Sequence, residues 1–394
     1  VPSTQLRENV IAAARRVVVK VGSRLIATPH GESPDIDRRF IADLAGQMAG
    51  LQKRGYAVTL VSSGAVAAGC VELGLTQRPT DVATLQAAAA VGQRGLMTAW
   101  HDAFAAHDLR VGQVLLTRDD FEDRGRYLNL RNAVAALHGL GVVPVLNEND
   151  SVAVEEIRFG DNDQLAALMT NATRADALVL LTTVDGLLDA AGERVDLVED
   201  VQAELTRLST GLAAAASGGA GGAGDGGGGG WSLGGIASKL DAARRVTDAG
   251  EIAVIASGRE PDVLPRLLGG EKLGTVFVPA GRKLDARRRW IGLTVRPAGK
   301  LTVDDGAVRA LCERGKSLLA TGITAVHGRF AGGDVVEVVG PTGTPIARGL
   351  SNYSDAELER IAGKRSEAYA EALGRAAYAE VIHRDNLMLI APAG

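Results

Sequence analysis

Val17-Val18-Val19-Lys20-Val21-Gly22-Ser23 is a run of β-branched residues that stops at two small ones, with a lysine one place from its end. β-Branched side chains pack well on a pleated surface, and a run without polar alternation reads as a strand buried on both faces. Gly22 and Ser23 allow the backbone to approach a ligand closely. Lys20 is then a cation on a rigid element beside a glycine turn, suited to holding a phosphate. Taken alone, the fragment reads more readily as a strand closing on a solvated lysine.

Outward from this stretch the same grammar recurs to about residue 260: an apolar run, a polar or glycine break, then a helical pattern. Ile36, Phe40, Ile41, Leu44, Met48 and Leu51 share one helical face, and Gly55 follows as a stop. Strands are expected at Val58–Val61, Val111–Leu116, Val142–Leu146, Ala177–Leu181 and Ile252–Ala256. Helices are expected over Ala83–Ala106, Leu128–Leu140, Leu165–Thr173 and Lys239–Ala249. Strands alternating with helices, with few tight hairpins, predict a mainly parallel sheet covered on both faces, a three-layer αβα sandwich. Five strands close on polar or glycine residues: Lys20–Ser23, Ser62–Gly64, Asn147–Asp150, Thr182–Gly186 and Ser257-Gly258. Ligands of open α/β sheets bind outside the carboxyl ends of the strands, so five such ends imply one pocket.

The chain's 394 residues are enough for two domains, and 46% hydrophobic with 23% charged residues is the composition of a soluble globular protein. No apolar run reaches the roughly 20 residues of a membrane span. Cys70 and Cys312 stand far apart without metal spacing, which fits a reduced, cytoplasmic setting. Net charge is −4, yet residues 282–394 hold 17 Lys and Arg against 13 Asp and Glu, a change of sign that suggests a second domain. The boundary is placed at 280/281. Beyond it, Val335–Val339 and Ile346–Gly349 flank a Gly-Pro-Thr-Gly turn, with weaker strands at Leu293–Val295 and Ile323–His327. A helix at Ala307–Glu313 completes the pattern of a small mixed β-barrel, followed by a charged helical segment, Asp355–Leu373. Between the first domain's last two strands, Ala213–Gly230 is almost wholly Ala, Ser and Gly and reads as a flexible insertion. Its Gly219–Gly224 matches GxGxxG without a preceding strand. Gly315-Lys316-Ser317 lacks the glycine that a phosphate loop needs at position 310, where Ala310 stands.

Two clusters, Asn147-Glu148-Asn149-Asp150 and Gly160-Asp161-Asn162-Asp163, are the densest in polar residues. Carboxylates beside amides suit an amino acid's ammonium and hydrogen-bonding groups. They also suit Mg²⁺, which takes one or two protein carboxylates and keeps its waters. Capping is the alternative use, with Asp161 or Asp163 at the start of the helix at Leu165. Leu233-Gly234-Gly235-Ile236-Ala237-Ser238-Lys239 repeats the opening logic: glycines, a hydroxyl residue, and a lysine at a helix start, where backbone N–H groups attract anions. Two lysines flanking one phosphoryl group would suit a transfer that depends on positioning and charge.

These stretches, with Val61–Gly69, Gly112–Thr117 and Phe159–Asp163, resemble the glutamate 5-kinases of the amino acid kinase superfamily, in the family's order, over residues 15–280. Trp290–Gly292, Gly328–Val336 and Arg360–Gly363 resemble the PUA module that such chains carry at the C-terminus. The resemblance implies ATP-dependent phosphorylation of the γ-carboxylate of L-glutamate, the first step of proline synthesis, with Mg²⁺. It assigns catalysis to Lys20, Lys239 and Asp163, and glutamate binding to Ser63, Asp150 and Asn162, with Asn147 and Asp161 as neighbours. Nucleotide contacts fall to Lys20, Thr182, Thr183, Gly234, Gly235, Ile236, Ser238 and Lys239, with no metal-ligand set. Thr183 departs from the family's usual Thr-Asp pair, and Leu233 replaces a usual threonine. Proline as feedback inhibitor, a homo-oligomer, and RNA at the C-terminal module are further implications. An acetylglutamate or aspartate kinase, or an RNA-binding regulator, is the rival reading. A carboxylate nucleophile, with a pKa near ~4.3, is ionised at neutral pH and needs no general base. His101 and His138 are accordingly read as structural or surface residues.

Overall fold

The computed structural model describes residues 3–27, 36–153, 162–189, 191–207, 233–279, 286–375 and 377–390. The Ala/Gly/Ser stretch, the Gly219–Gly224 motif and Phe159, Gly160 and Asp161 lie outside the described residues. The chain divides into two compact units, Val1–Lys283 and Leu284–Gly394.

In the first unit eight strands form one sheet in the order β3-β4-β2-β1-β5-β7-β8-β6. They are β1 (Arg16–Val21), β2 (Ala57–Ser62), β3 (Arg110–Leu116), β4 (Val142–Glu148), β5 (Ala177–Thr182), β6 (Leu197–Val198), β7 (Ile252–Ser257) and β8 (Thr275–Phe277). Every pairing is parallel except β7 with β8. The opening stretch is therefore an interior strand: Lys20 pairs with Val61 on one side and Leu180 on the other. Side chains alternate across a strand. Val17, Val19 and Val21 enter the main core with Leu60, Val179 and Val254, which sends Lys20 to the opposite face. Each fully buried valine or leucine there is worth roughly 1.5–3 kcal/mol.

The helices follow from their caps and stripes. Asp37 accepts from the Phe40 N–H at 2.9 Å and starts Arg38–Lys53, whose Phe40, Ile41, Leu44, Met48 and Leu51 are buried. Gly55 ends it at φ +85°. Asp81 caps Val82–Ala105 through the Thr84 N–H, and that helix buries Trp100 and Phe104. The helix Ala65–Glu72 approaches it backbone to backbone: a Cβ on Gly69 would fall 1.7 Å from the Ala88 carbonyl oxygen. Small residues in this region, read from sequence only as a helix start, thus set an interhelical distance. The helices Ser3–Ala13 and Val263–Leu268 and the short strands β6 and β8 were not anticipated from the sequence. The first is anchored by buried Arg7, which donates to the Asp196 and Gly274 carbonyls. No helix among the described residues is long and apolar enough to cross a membrane.

The second unit is a five-stranded mixed sheet, β10-β9-β11-β12-β13. Its strands are β9 (Gly299–Val303), β10 (Ile323–Gly328), β11 (Val335–Val339), β12 (Pro345–Leu350) and β13 (Leu387–Leu389). Leu301, Val336, Val338, Ala347, Tyr353 and Tyr369 form its core. Two expectations are corrected here. Leu293–Val295 is not a strand; Trp290–Thr294 is one wide helical turn, fully buried. Asp355–Leu373 is not one helix: a Ser354–Glu357 capping box starts Asp355–Ile361, and Gly363 at φ +73° turns the chain before Tyr369–Leu373. Gly299–Val303 and Leu387–Leu389 were also not read as strands.

Candidate active site

Parallel strands bring their carboxyl ends to one edge of the sheet, and the site is built there. The helix Asn162–Thr173 packs against β1, on the face to which Lys20 points. Asp163 lies in its first turn and is completely buried. One carboxylate oxygen is 2.6 Å from the Lys20 Nζ and the other 2.9 Å from the Lys239 Nζ. Lys20 is 3% exposed and Lys239 9%. The solvated-lysine reading, and the cap reading for Asp163, are therefore overturned: the helix begins at Asn162, and Asp163 bridges two buried cations. A fully desolvated ion triad is costly unless charge and geometry match. Among the described residues two ammonium groups thus face one carboxylate, an arrangement to which an anionic ligand is complementary.

Lys239 reaches this point from the helix Leu233–Asp248. The expected start at Lys239 is corrected, since Gly234 and Gly235 already lie in its first turn. Helical side chains lean toward the N-terminus, and the Lys239 ammonium accordingly donates to the Gly235 carbonyl at 3.2 Å. Ile236 is buried, while Gly235 and Ser238 are half-buried. The two helices that carry Asp163 and Lys239 are braced by Gln164, which donates to Asp241 at 2.7 Å. Burial works to raise the Asp241 carboxyl, but Arg245 and Arg244 outweigh it and hold it below the usual range.

The second cluster adjoins the first, because Asn162 precedes Asp163. Its Nδ2 donates to the Ser63 Oγ at 2.9 Å and to the Asn147 Oδ1 at 2.8 Å. The same Asn147 oxygen accepts from the Glu148 N–H at 2.9 Å, and Asn147 donates in turn to the Gln93 Oε1 at 2.8 Å. Ser63 follows β2 and precedes Gly64, whose φ of +111° lets the chain turn directly into the helix Ala65–Glu72. Beneath it, the Trp100 indole donates to the Ser62 Oγ at 2.9 Å. Asp150 sits half-buried in the turn after β4.

Thus Lys20, Lys239, Asp163, Asn162, Ser63 and Asn147 are drawn together. Thr182 ends β5, half-buried, with its carbonyl accepting from the Gly258 N–H at 2.8 Å, and Thr183 is exposed just beyond. Asp161 lies outside the described residues. Gln93, Trp100 and Gln164 were missed by the sequence reading. Gln93 is one amide on an alanine-rich helix, and nothing in its neighbours points to a strand end far away in sequence. His138 is structural as read, its ring nitrogen 2.9 Å from the Thr59 Oγ1, and His101 is exposed.

Residues 15–256 match the amino acid kinase family, and residues 299–373 the PUA domain. The glutamate 5-kinase of Citrifermentans bemidjiense is 44% identical over 389 residues, covering 98% of this chain and 100% of the relative. That of Chromohalobacter salexigens is 47% identical, covering 98% and 99%. That of Pseudomonas syringae pv. tomato is 46% identical, covering 96% and 99%.

Proposed function

The chain belongs to the amino acid kinase family, and from that premise we infer that it is a glutamate 5-kinase. It transfers the terminal phosphoryl group of ATP to the γ-carboxylate of L-glutamate, opening proline biosynthesis. The observation that carries the phosphoryl site is the buried Lys20–Asp163–Lys239 triad, two ammonium groups held on one carboxylate.

The obstacle in this reaction is repulsion between an anionic nucleophile and an anionic donor. Lys20 and Lys239 face the transferring group from two elements and stabilise the charge that spreads over its oxygens. Asp163 orients both ammonium groups and carries no proton in the step. The γ-carboxylate is already ionised, so attack needs no base. Ser63, Asn162 and Asp150, with Asn147 beside them, hold the amino acid, and Asp161 is assigned to the same task. Gly234, Gly235, Ile236, Ser238, Thr182 and Thr183 line the nucleotide side. Among the described residues no group of three or more His, Cys, Asp or Glu side chains is arranged to hold a metal. Mg²⁺ belongs to the substrate, arriving on ATP with most of its waters.

The test is glutamate-dependent ADP release with Mg²⁺-ATP, with the acyl phosphate trapped by hydroxylamine. A preference for N-acetylglutamate or aspartate over glutamate would overturn the substrate assignment, and activity undiminished by chelation would overturn the Mg²⁺ assignment. The same reading makes the enzyme a cytoplasmic homo-oligomer inhibited by proline, to be checked by light scattering and by proline titration of the rate. RNA is assigned to the PUA unit, and binding that does not weaken with salt would count against a phosphate-backbone contact.

A further inference from the structure

We propose that Gln93 is a positioning residue for the glutamate site, holding in place, by accepting a hydrogen of Asn147, the amide chain that ends at Asn162 and Ser63. The argument is one of donors and acceptors. The Glu148 N–H can only donate, so the Asn147 side-chain oxygen must face it, and the Asn147 NH₂ must face Gln93. The Gln93 Oε1 takes that hydrogen at 2.8 Å. Asn147 is 3% exposed, and without Gln93 this buried NH₂ would lose its acceptor.

The polarity then propagates. With its oxygen oriented, Asn147 accepts from Asn162, whose second N–H goes to the Ser63 Oγ. Both Asn162 hydrogens are thereby committed, and its Oδ1 has no partner among the described residues. Ser63 accepts through its oxygen, which frees its own hydrogen to donate. What results is one acceptor and one donor side by side: the Asn162 Oδ1 suits an ammonium, and the Ser63 hydroxyl suits a carboxylate. That pair is complementary to the α-carbon end of an amino acid, and it discriminates against a dicarboxylate without an amino group. Gln93 itself need touch neither substrate.

This inference rests on the glutamate kinase reading. The experiment compares wild type, Gln93→Met and Gln93→Glu for glutamate KM, ATP KM, kcat and the inhibition constant of glutarate, which keeps both carboxylates and lacks the ammonium. Methionine fills the space without an acceptor, and glutamate restores one. We expect Gln93→Met to raise the glutamate KM about tenfold while the glutarate constant rises less than about threefold and the ATP KM stays within about twofold, with Gln93→Glu returning toward wild type. Glutamate KM and glutarate constant rising in parallel, a glutamate KM unchanged in Gln93→Met, or no rescue by Gln93→Glu would overturn the proposal. Wild-type enzyme inactive on glutamate would instead overturn the substrate reading, which separates the two failures.

Discussion

Replacing Asp163 by asparagine removes one negative charge from a site that holds two positive ones. In the wild type its oxygens stand 2.6 and 2.9 Å from the Lys20 and Lys239 ammonium groups, and all three side chains are buried or nearly so. Two ammonium groups on opposite oxygens of one carboxylate lie on the order of 5 Å apart, where they repel by roughly 3 kcal/mol at an effective dielectric of about 20. Breaking a buried pair from one side costs about 3–5 kcal/mol, so the melting temperature of the first unit should fall by roughly 10 °C. MgATP supplies the missing negative charge, and its protective shift should be larger in Asp163→Asn than in wild type. Lys20→Met is the counter-experiment. It leaves Asp163 and Lys239 as a neutral pair, so stability should change by less than about 2 kcal/mol, while kcat falls about 10²–10³-fold. Scanning fluorimetry with and without nucleotide, beside the hydroxylamine assay, reads all of these. Asp163→Asn melting within 2 °C of wild type with kcat within threefold would refute the argument. A Lys20→Met protein as unstable as Asp163→Asn would show that packing, not charge, governs the site.

Lys239→Met should lower kcat by a similar factor of about 10²–10³ and leave the glutamate KM within a few-fold; the reverse split would move Lys239 to substrate binding. Gly92→Ala should destabilise the first unit by about 1–3 kcal/mol or more, because its Cβ would fall 2.0 Å from the Ala65 carbonyl oxygen and 2.2 Å from the Gly69 nitrogen. Since that helix begins just after Ser63, the glutamate KM should rise as well, and chemical denaturation with steady-state kinetics checks both. Burial, with the charge of Arg16 adding to it, lowers the His138 pKa in the folded protein. The unfolded chain therefore binds the proton first as pH falls, so stability is full above about pH 6.5. It declines below that until the folded pKa is passed, at a slope of at most about 1.4 kcal/mol per pH unit. His138→Gln should flatten the unfolding free energy between pH 7.5 and 5, and an unchanged slope would assign the dependence to other groups.

Strand identity was legible wherever burial makes a run continuously apolar: Val17–Val21, Val58–Val61, Ala177–Leu181 and Ile252–Ala256 all lie within strands of the sheet. The polar strand ends that build the site were legible for the same reason, because a buried strand that stops on Lys, Ser or Asn has a use for it. Element boundaries were less so, as the helix starts at Asn162 and Leu233 show. In both, the first turn is polar or glycine-rich, and tertiary contacts outweigh local propensity. The strand expected at Leu293–Val295 failed because three apolar residues fit a buried helical turn as well as a strand.

For the opening stretch, the one-dimensional chain determined that a lysine ends a buried strand beside a glycine turn. Periodicity and β-branching suffice for that, since both act between near neighbours. Only the folded chain decided whether this lysine meets water or a partner. Asp163 and Lys239 are held against it from helices far along the sequence. The choice depends on a parallel sheet aligning its strand ends and on burial removing the solvent that would otherwise separate three charges. Gln93 belongs wholly to that second category: its meaning lies in a hydrogen bond to a strand end 54 residues away.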